Sequence, residues 1–136
     1  MEFDIAAANQ EAKKRLILSL EGKGAHVSFE DAIENFPEEL MNTKPDNVPY
    51  TFWHQLEHMR IAQWDILRYI QDPEHRSPSW PDEYWPEKDA DADADVWENS
   101  VKKFLSDRQE LISLIQDPDC NVLEPVSHMS GRSILR

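Results

Sequence analysis

Residues 51–71, TFWHQLEHMRIAQWDILRYIQ, decide how the rest of this chain is read. Phe52, Leu56, Met59, Ile66, Leu67 and Ile70 fall on one side of the segment when each residue is turned about 100° from the last, the period of an α-helix. Thr51 is a side chain that caps a helix start. The segment ends at Ile70-Gln71-Asp72-Pro73, because proline cannot continue a helix and biases the residue before it away from helical backbone.

Working outward, residues 3–20 place Ile5, Ala8, Ala12, Leu16 and Leu20 at intervals of three and four, and stop before Gly22 and Gly24, which predicts an amphipathic helix. Ser28 is an N-cap for a short helix that Pro37 interrupts, followed by the loop MNTKPDNVP. On the other side lies EHRSPSWPDEYWPEKDADADA, too long for a simple helix connection and expected to wrap the helices with Trp80, Tyr84 and Trp85. Asp95 with Glu98 then reads as a capping pair opening a third long helix over about 96–116, with Trp97, Val101, Phe104, Leu105, Leu111, Ile112 and Ile115 as its apolar stripe. It too ends in Ile-Gln-Asp-Pro, an echo that a shared stop signal explains as well as an internal repeat. Strand patterning is scarce. The expectation is an all-α bundle of one domain, residues 1–136, its long helices packed antiparallel around Leu16, Leu56, Trp97 and Phe104.

Composition narrows the partners. Fourteen Lys and Arg stand against 27 Asp and Glu, a formal charge of −13 on 136 residues. Nucleic acid and anionic membrane surfaces would be repelled. The one cysteine, Cys120, cannot form an intrachain disulfide, which fits a reducing compartment. The N-terminal MEFDIAAANQ lacks a basic and then apolar leader, and no apolar run reaches the roughly 18 residues of a membrane span, so a cytoplasmic location is expected.

Chemistry concentrates on the opening helix. With His54 set at zero, Asp65 lies about 20° away, His58 about 40° and Tyr69 about 60°, one ionisable stripe off the centre of the apolar face. Histidines four apart can converge on one ion, but a centre that activates water or a thiol typically needs three protein ligands. The order is not that of zinc proteases, because Glu57 precedes the second histidine instead of following the first. The run Asp89, Asp91, Asp93, Asp95 is no calcium loop either, since Ala94 and Ser100 stand where glycine and glutamate are required. These carboxylates favour the positive end of the following helix. No glycine-rich phosphate loop, nucleophile elbow or paired-cysteine metal site occurs. His26, after the glycines of GKGAH, is a pocket candidate, whereas His75 and His128 read as turn histidines.

Three ordered stretches, WHxLEHMRIAQWDIL (53–67), SPxWPxxYWP (77–86) and the closing ILR, resemble the DinB-like (YfiT-like) proteins, a family of up-down four-helix bundles, over nearly the whole chain. The resemblance implies a divalent metal, zinc, nickel or iron, held by three histidines, one from the second helix and two from an Asp-His-x-x-Tyr-His segment in the fourth. His58 matches the first ligand. His54, one turn earlier, is the other metal candidate or a neighbour, with Asp65, Tyr69 and His26 behind them or in the pocket. Ser133 would cap the fourth helix, with Ile134 and Leu135 starting its apolar face, but the sequence stops at Arg136. Half a site is therefore expected, with weak metal binding. Relatives imply metal-dependent hydrolase chemistry or transfer to a small thiol, in which the cation depresses the thiol pKa. The alternative is a metal-free stress-associated or interaction module on the same bundle. Three long helices without a fourth would leave an apolar groove, for which a homodimer is the simplest cover.

Overall fold

Apolar residues at the helical period, capped and stopped where the sequence places Thr, Ser, Asp and Pro, form four α-helices in the computed structural model, which describes residues 4–22 and 27–123. They are α1 (Ile5–Leu20), α2 (Phe29–Ile33), α3 (Phe52–Gln71) and α4 (Ala94–Gln116), with 3-10 turns at Glu38–Leu40 and Asp82–Tyr84. No strand occurs among the described residues, and the fold is all-α. None of the described helices is long and apolar enough to cross a membrane. His26, His128 and the helix start expected at Ser133 lie outside the described residues. The chain divides into two compact units, Met1–Ile33 with Gln109–Arg136, and Glu34–Arg108.

In the first unit, α1 is held by polar side chains. Lys13, buried to 5% exposure, donates from Nζ to the Asp117 carbonyl at 2.9 Å. One turn earlier, Asn9 accepts from the Val122 amide at 2.9 Å and donates to the Cys120 carbonyl at 3.4 Å. Asn9 and Lys13 are four apart and share a helix face. That face overlaps the apolar stripe read from the sequence, so polar and apolar side chains share it; Ile5 is exposed and Leu16 half-buried. Leu111, Ile112, Ile115 and Val122 supply the unit's buried apolar surface. Beyond α1, Gly22 turns the chain at φ +76°, where a Cβ would sit 3.2 Å from Ser28, so both backbone and space call for glycine.

The second unit is built on α3. Its first amides have no partner within the helix. Thr51 Oγ1 accepts from the His54 amide, and the Phe52 and Trp53 amides reach back to the carbonyls of Thr43 and Met41. Trp53 Nε1 donates to Ser100 Oγ on α4 at 3.2 Å, and Ser100 donates to Glu57 at 2.8 Å. Further along, Gln63 donates to the Phe104 carbonyl at 2.8 Å. Phe36 stacks on Trp97, with centroids 4.6 Å apart, and meets Phe52 edge-on. The contacts advance together along both helices, from 53 and 57 against 100 to 63 against 104, so α3 and this part of α4 run parallel. The antiparallel packing expected of neighbouring helices is therefore corrected for this pair. The long connection explains it: successive residues 75, 84 and 90 bond to Asp65, His58 and His54, which carries the chain back to the start of α3 before α4 begins.

Two further details depart from the sequence reading. The cap of α4 is Asp93, whose Oδ1 accepts from the Val96 amide at 2.8 Å, so Asp95 lies inside the first turn and the Asp95 with Glu98 cap is not formed. The side chain of Asn42 pairs in both directions with the backbone of Ala92, at 2.8 Å each way, and clamps the two connecting loops together.

Glu57 lies between α3 and α4. Burial pushes its carboxyl pKa up, but hydrogen bonds from Arg60 and Ser100, with the charges of Arg60 and Lys103, outweigh burial and hold it below the ordinary 4.5. A carboxylate depressed on folding contributes stability that is complete above its unfolded pKa and is lost as pH falls through the folded value. Stability should therefore drop below about pH 4.5. In Glu57→Gln that acid-dependent part should shrink, and urea midpoints taken between pH 6 and pH 3 are the measurement.

Candidate functional site

The stripe on α3 begins with His54 at its third position. Its Nδ1 accepts from the Thr51 amide at 3.3 Å, completing a reciprocal cap with the threonine hydroxyl. Its Nε2 lies 2.8 Å from the Ala90 carbonyl. A carbonyl oxygen only accepts, so Nε2 carries the proton and Nδ1 the lone pair. Both nitrogens are bonded within the protein, and the residue is 3% exposed. A metal at His54 would have to break one of these bonds.

His58, one turn on, has the opposite arrangement. Its Nδ1 lies 2.8 Å from the Tyr84 carbonyl and must donate to it, so in the neutral ring the lone pair is on Nε2. No described residue hydrogen-bonds Nε2. The ring lies flat against Trp85, with centroids 3.8 Å apart and planes 3° apart. Tyr50 stacks on Trp85 at the same separation. Two parallel rings that close to one indole cannot share a face, so Trp85 is sandwiched between them. Trp80, 71% exposed, lies tilted beside His58 at 6.1 Å.

Asp65 lies two turns beyond His58 and is 6% exposed. One oxygen accepts from the Tyr84 hydroxyl at 2.6 Å, the other from His75 Nε2 at 2.9 Å, and Ser77 adds a third donor. Burial pushes the Asp65 pKa up, but the bonds from Ser77, Tyr84 and His75, together with the charge of His75, hold it below the ordinary 3.8. Asp65 is thus an ionised buried acceptor with its donors in place. Tyr84 joins the two ends: its hydroxyl binds Asp65 and its carbonyl holds His58.

Of the five residues singled out from the sequence, His58 and Asp65 are brought into one network through Tyr84. His54 is turned to structural bonds, Tyr69 is half-buried one turn past Asp65, and His26 is not among the described residues. The sequence reading set His75 aside, yet its side chain is 9% exposed and bonded to Asp65. The signal was Asp65 itself: an aspartate on a packed helix needs donors, and the adjoining loop offers His75, Ser77 and Tyr84.

Beside the sandwich lies a cleft of about 420 Å³, lined by residues that include Tyr50, His54, Pro81, Trp85, Glu87 and Lys88. Stacked aromatics and prolines make its walls rigid, as in preformed small-molecule sites. Among the described residues no group of three or more His, Cys, Asp or Glu is placed to hold a metal ion.

No curated protein and no solved structure matches the chain. The family model described as the DinB superfamily matches residues 24–133, which takes in α2, α3, α4 and the loop that carries Tyr84 and Trp85, and the chain belongs to the DinB superfamily.

Proposed function

We propose that His58 is one ligand of a divalent-metal centre, for zinc, nickel or iron, whose other donors come from residues outside the described ones. The support is the state of its ring. Metal-bound histidines typically donate their other ring N–H to a carbonyl or carboxylate, and His58 donates Nδ1–H to the Tyr84 carbonyl while no described residue bonds Nε2. The fit is to one ligand and not to a complete set, because a centre with an open position typically needs three. When bound, such an ion would depress the pKa of a coordinated water or thiol. The chain's own residues hold the His58 ring and shape the cleft beside Trp85, where a small molecule, such as a small thiol, would lie.

On this reading the activity is metal-dependent hydrolysis or transfer to a small thiol, in one domain spanning 1–136. A cytoplasmic location goes with it, supported by the single unpaired cysteine. His54 is a stabilising residue and not a ligand, and Asp65 acts behind His58. The second reading is a metal-free interaction or stress-associated module built on the same bundle. We carry the homodimer as part of the proposal, as the simplest cover for an apolar groove.

Calorimetric titration with zinc separates the two readings. The parent chain should bind weakly, His58→Ala should lose that binding, and His54→Ala should keep it while losing about 1 kcal/mol of stability or more with its cap. Equal binding by parent and His58→Ala would rule out His58 as the ligand. For association, light scattering at micromolar concentration should give twice the chain mass of 15.9 kDa; a constant monomer mass removes the dimer.

A further inference from the structure

We infer that Asp65 is a positioning residue for His58, acting through Tyr84 to fix both the flip and the tautomer of the His58 ring. The inference rests on the reading of His58 as a ligand only for its functional consequence; the positioning stands on geometry alone.

A histidine ring on a helix has two freedoms that matter to a ligand: the plane in which it lies, and which nitrogen points outward carrying a lone pair. Trp85 removes the first. With its face 3.8 Å from the imidazole and only 3° from parallel, any large rotation about the ring axis drives an imidazole edge into the indole. Stacking does not remove the second freedom, because the flipped ring lies in the same plane. Only the Tyr84 carbonyl distinguishes the two, since it attracts Nδ1–H at 2.8 Å and would meet a carbon in the flipped ring. The distinction is chemical as well as geometric. Free neutral histidine prefers its proton on Nε2, and a protonated nitrogen cannot ligate. The form that leaves Nε2 open must be imposed.

What imposes it is the place of one backbone carbonyl in a long loop. Tyr84 closes the short turn Asp82–Tyr84, with no regular element supporting it on the next side. Its anchor is the phenol, buried and bonded to Asp65 Oδ2 at 2.6 Å. His58 and Asp65 are seven residues apart, nearly two full helical turns, so they share one line along α3 and a single tyrosine spans from one to the other. His75 and Ser77 satisfy the remaining capacity of the carboxylate, which keeps it directed at the loop. Tyr84 is linked to both ends of this arrangement.

The test uses the 136-residue chain labelled with ¹⁵N, read by the imidazole nitrogen shifts, with zinc as the probe. In the parent, His58 should show Nδ1 protonated and Nε2 unprotonated at neutral pH. In Asp65→Asn and Tyr84→Phe the Nε2-protonated form should rise several-fold, and zinc affinity at His58 should fall by about tenfold or more. Asn42→Ala is the control, because it loosens the same loop at Ala92 without touching Tyr84, and it should leave the tautomer unchanged. If His58 keeps its Nδ1 proton in folded Asp65→Asn and Tyr84→Phe, or if Asn42→Ala moves it equally, the positioning role is overturned. Should Asp65→Asn not fold, Tyr84→Phe decides alone, since it keeps the ring and the carbonyl. A parent that binds no zinc at His58 would sink the metal reading, and the tautomer comparison would still decide the positioning.

Discussion

Everything in the second unit depends on a carboxylate that helix α3 carries out of water. An ionised aspartate at 6% exposure is tolerable only with donors on its oxygens. Three come from one connection: His75, Ser77 and the Tyr84 hydroxyl. Satisfying Asp65 therefore draws the loop onto the helix and directs it back toward the start of α3. Once Ala90 has reached His54 and Ala92 has reached Asn42, α4 can only begin near where α3 began. The parallel course of the two helices is thus a consequence of where a buried charge finds its hydrogen bonds.

The same constraint separates two histidines that the sequence presents as a pair. His54 and His58 are one turn apart, and spacing alone gives them equal claim to an ion. Their partners do not. His54 is in the first turn, where a helix has unsatisfied amides, and it is used there as a cap. His58 lies beyond that need, opposite a carbonyl that fixes its proton on Nδ1. Membership of the DinB superfamily supplies the frame for both residues but no activity, since function resides in the site and not in the fold.

How much of this was legible in the sequence follows from the range of each interaction. Periodicity and capping are local, and they located α1, α3 and α4, the Thr51 cap and the Ser28 cap without the structure. The Asp93 cap was displaced by two residues because four alternating aspartates make equivalent local signals, and only the backbone geometry at Val96 chooses among them. The roles of Asn9 and Lys13 on α1 were not legible, because their partners lie more than 100 residues away in sequence. His75 was dismissed for the same reason: its neighbours look like a turn, and its role is set by Asp65 ten residues back. The direction of α4 was unreadable because helix periodicity carries no information on how a long connection travels.

The use of a charge for the anchor bears on how the site is held. An apolar side chain at position 65 could pack against the loop and stabilise it, often as well as a buried polar network does. Apolar contact, however, is not directional, and it would fix the loop's proximity without fixing the rotation of Tyr84 about its own bonds. A carboxylate with three donors specifies position and direction together, because each bond weakens steeply away from its preferred line. The Tyr84 carbonyl is thereby aimed, and the His58 ring, already flattened by Trp85, is left with one orientation. Binding at a ring held this way would lose little conformational freedom, so a ligand there would meet a site whose ordering was completed when the chain folded.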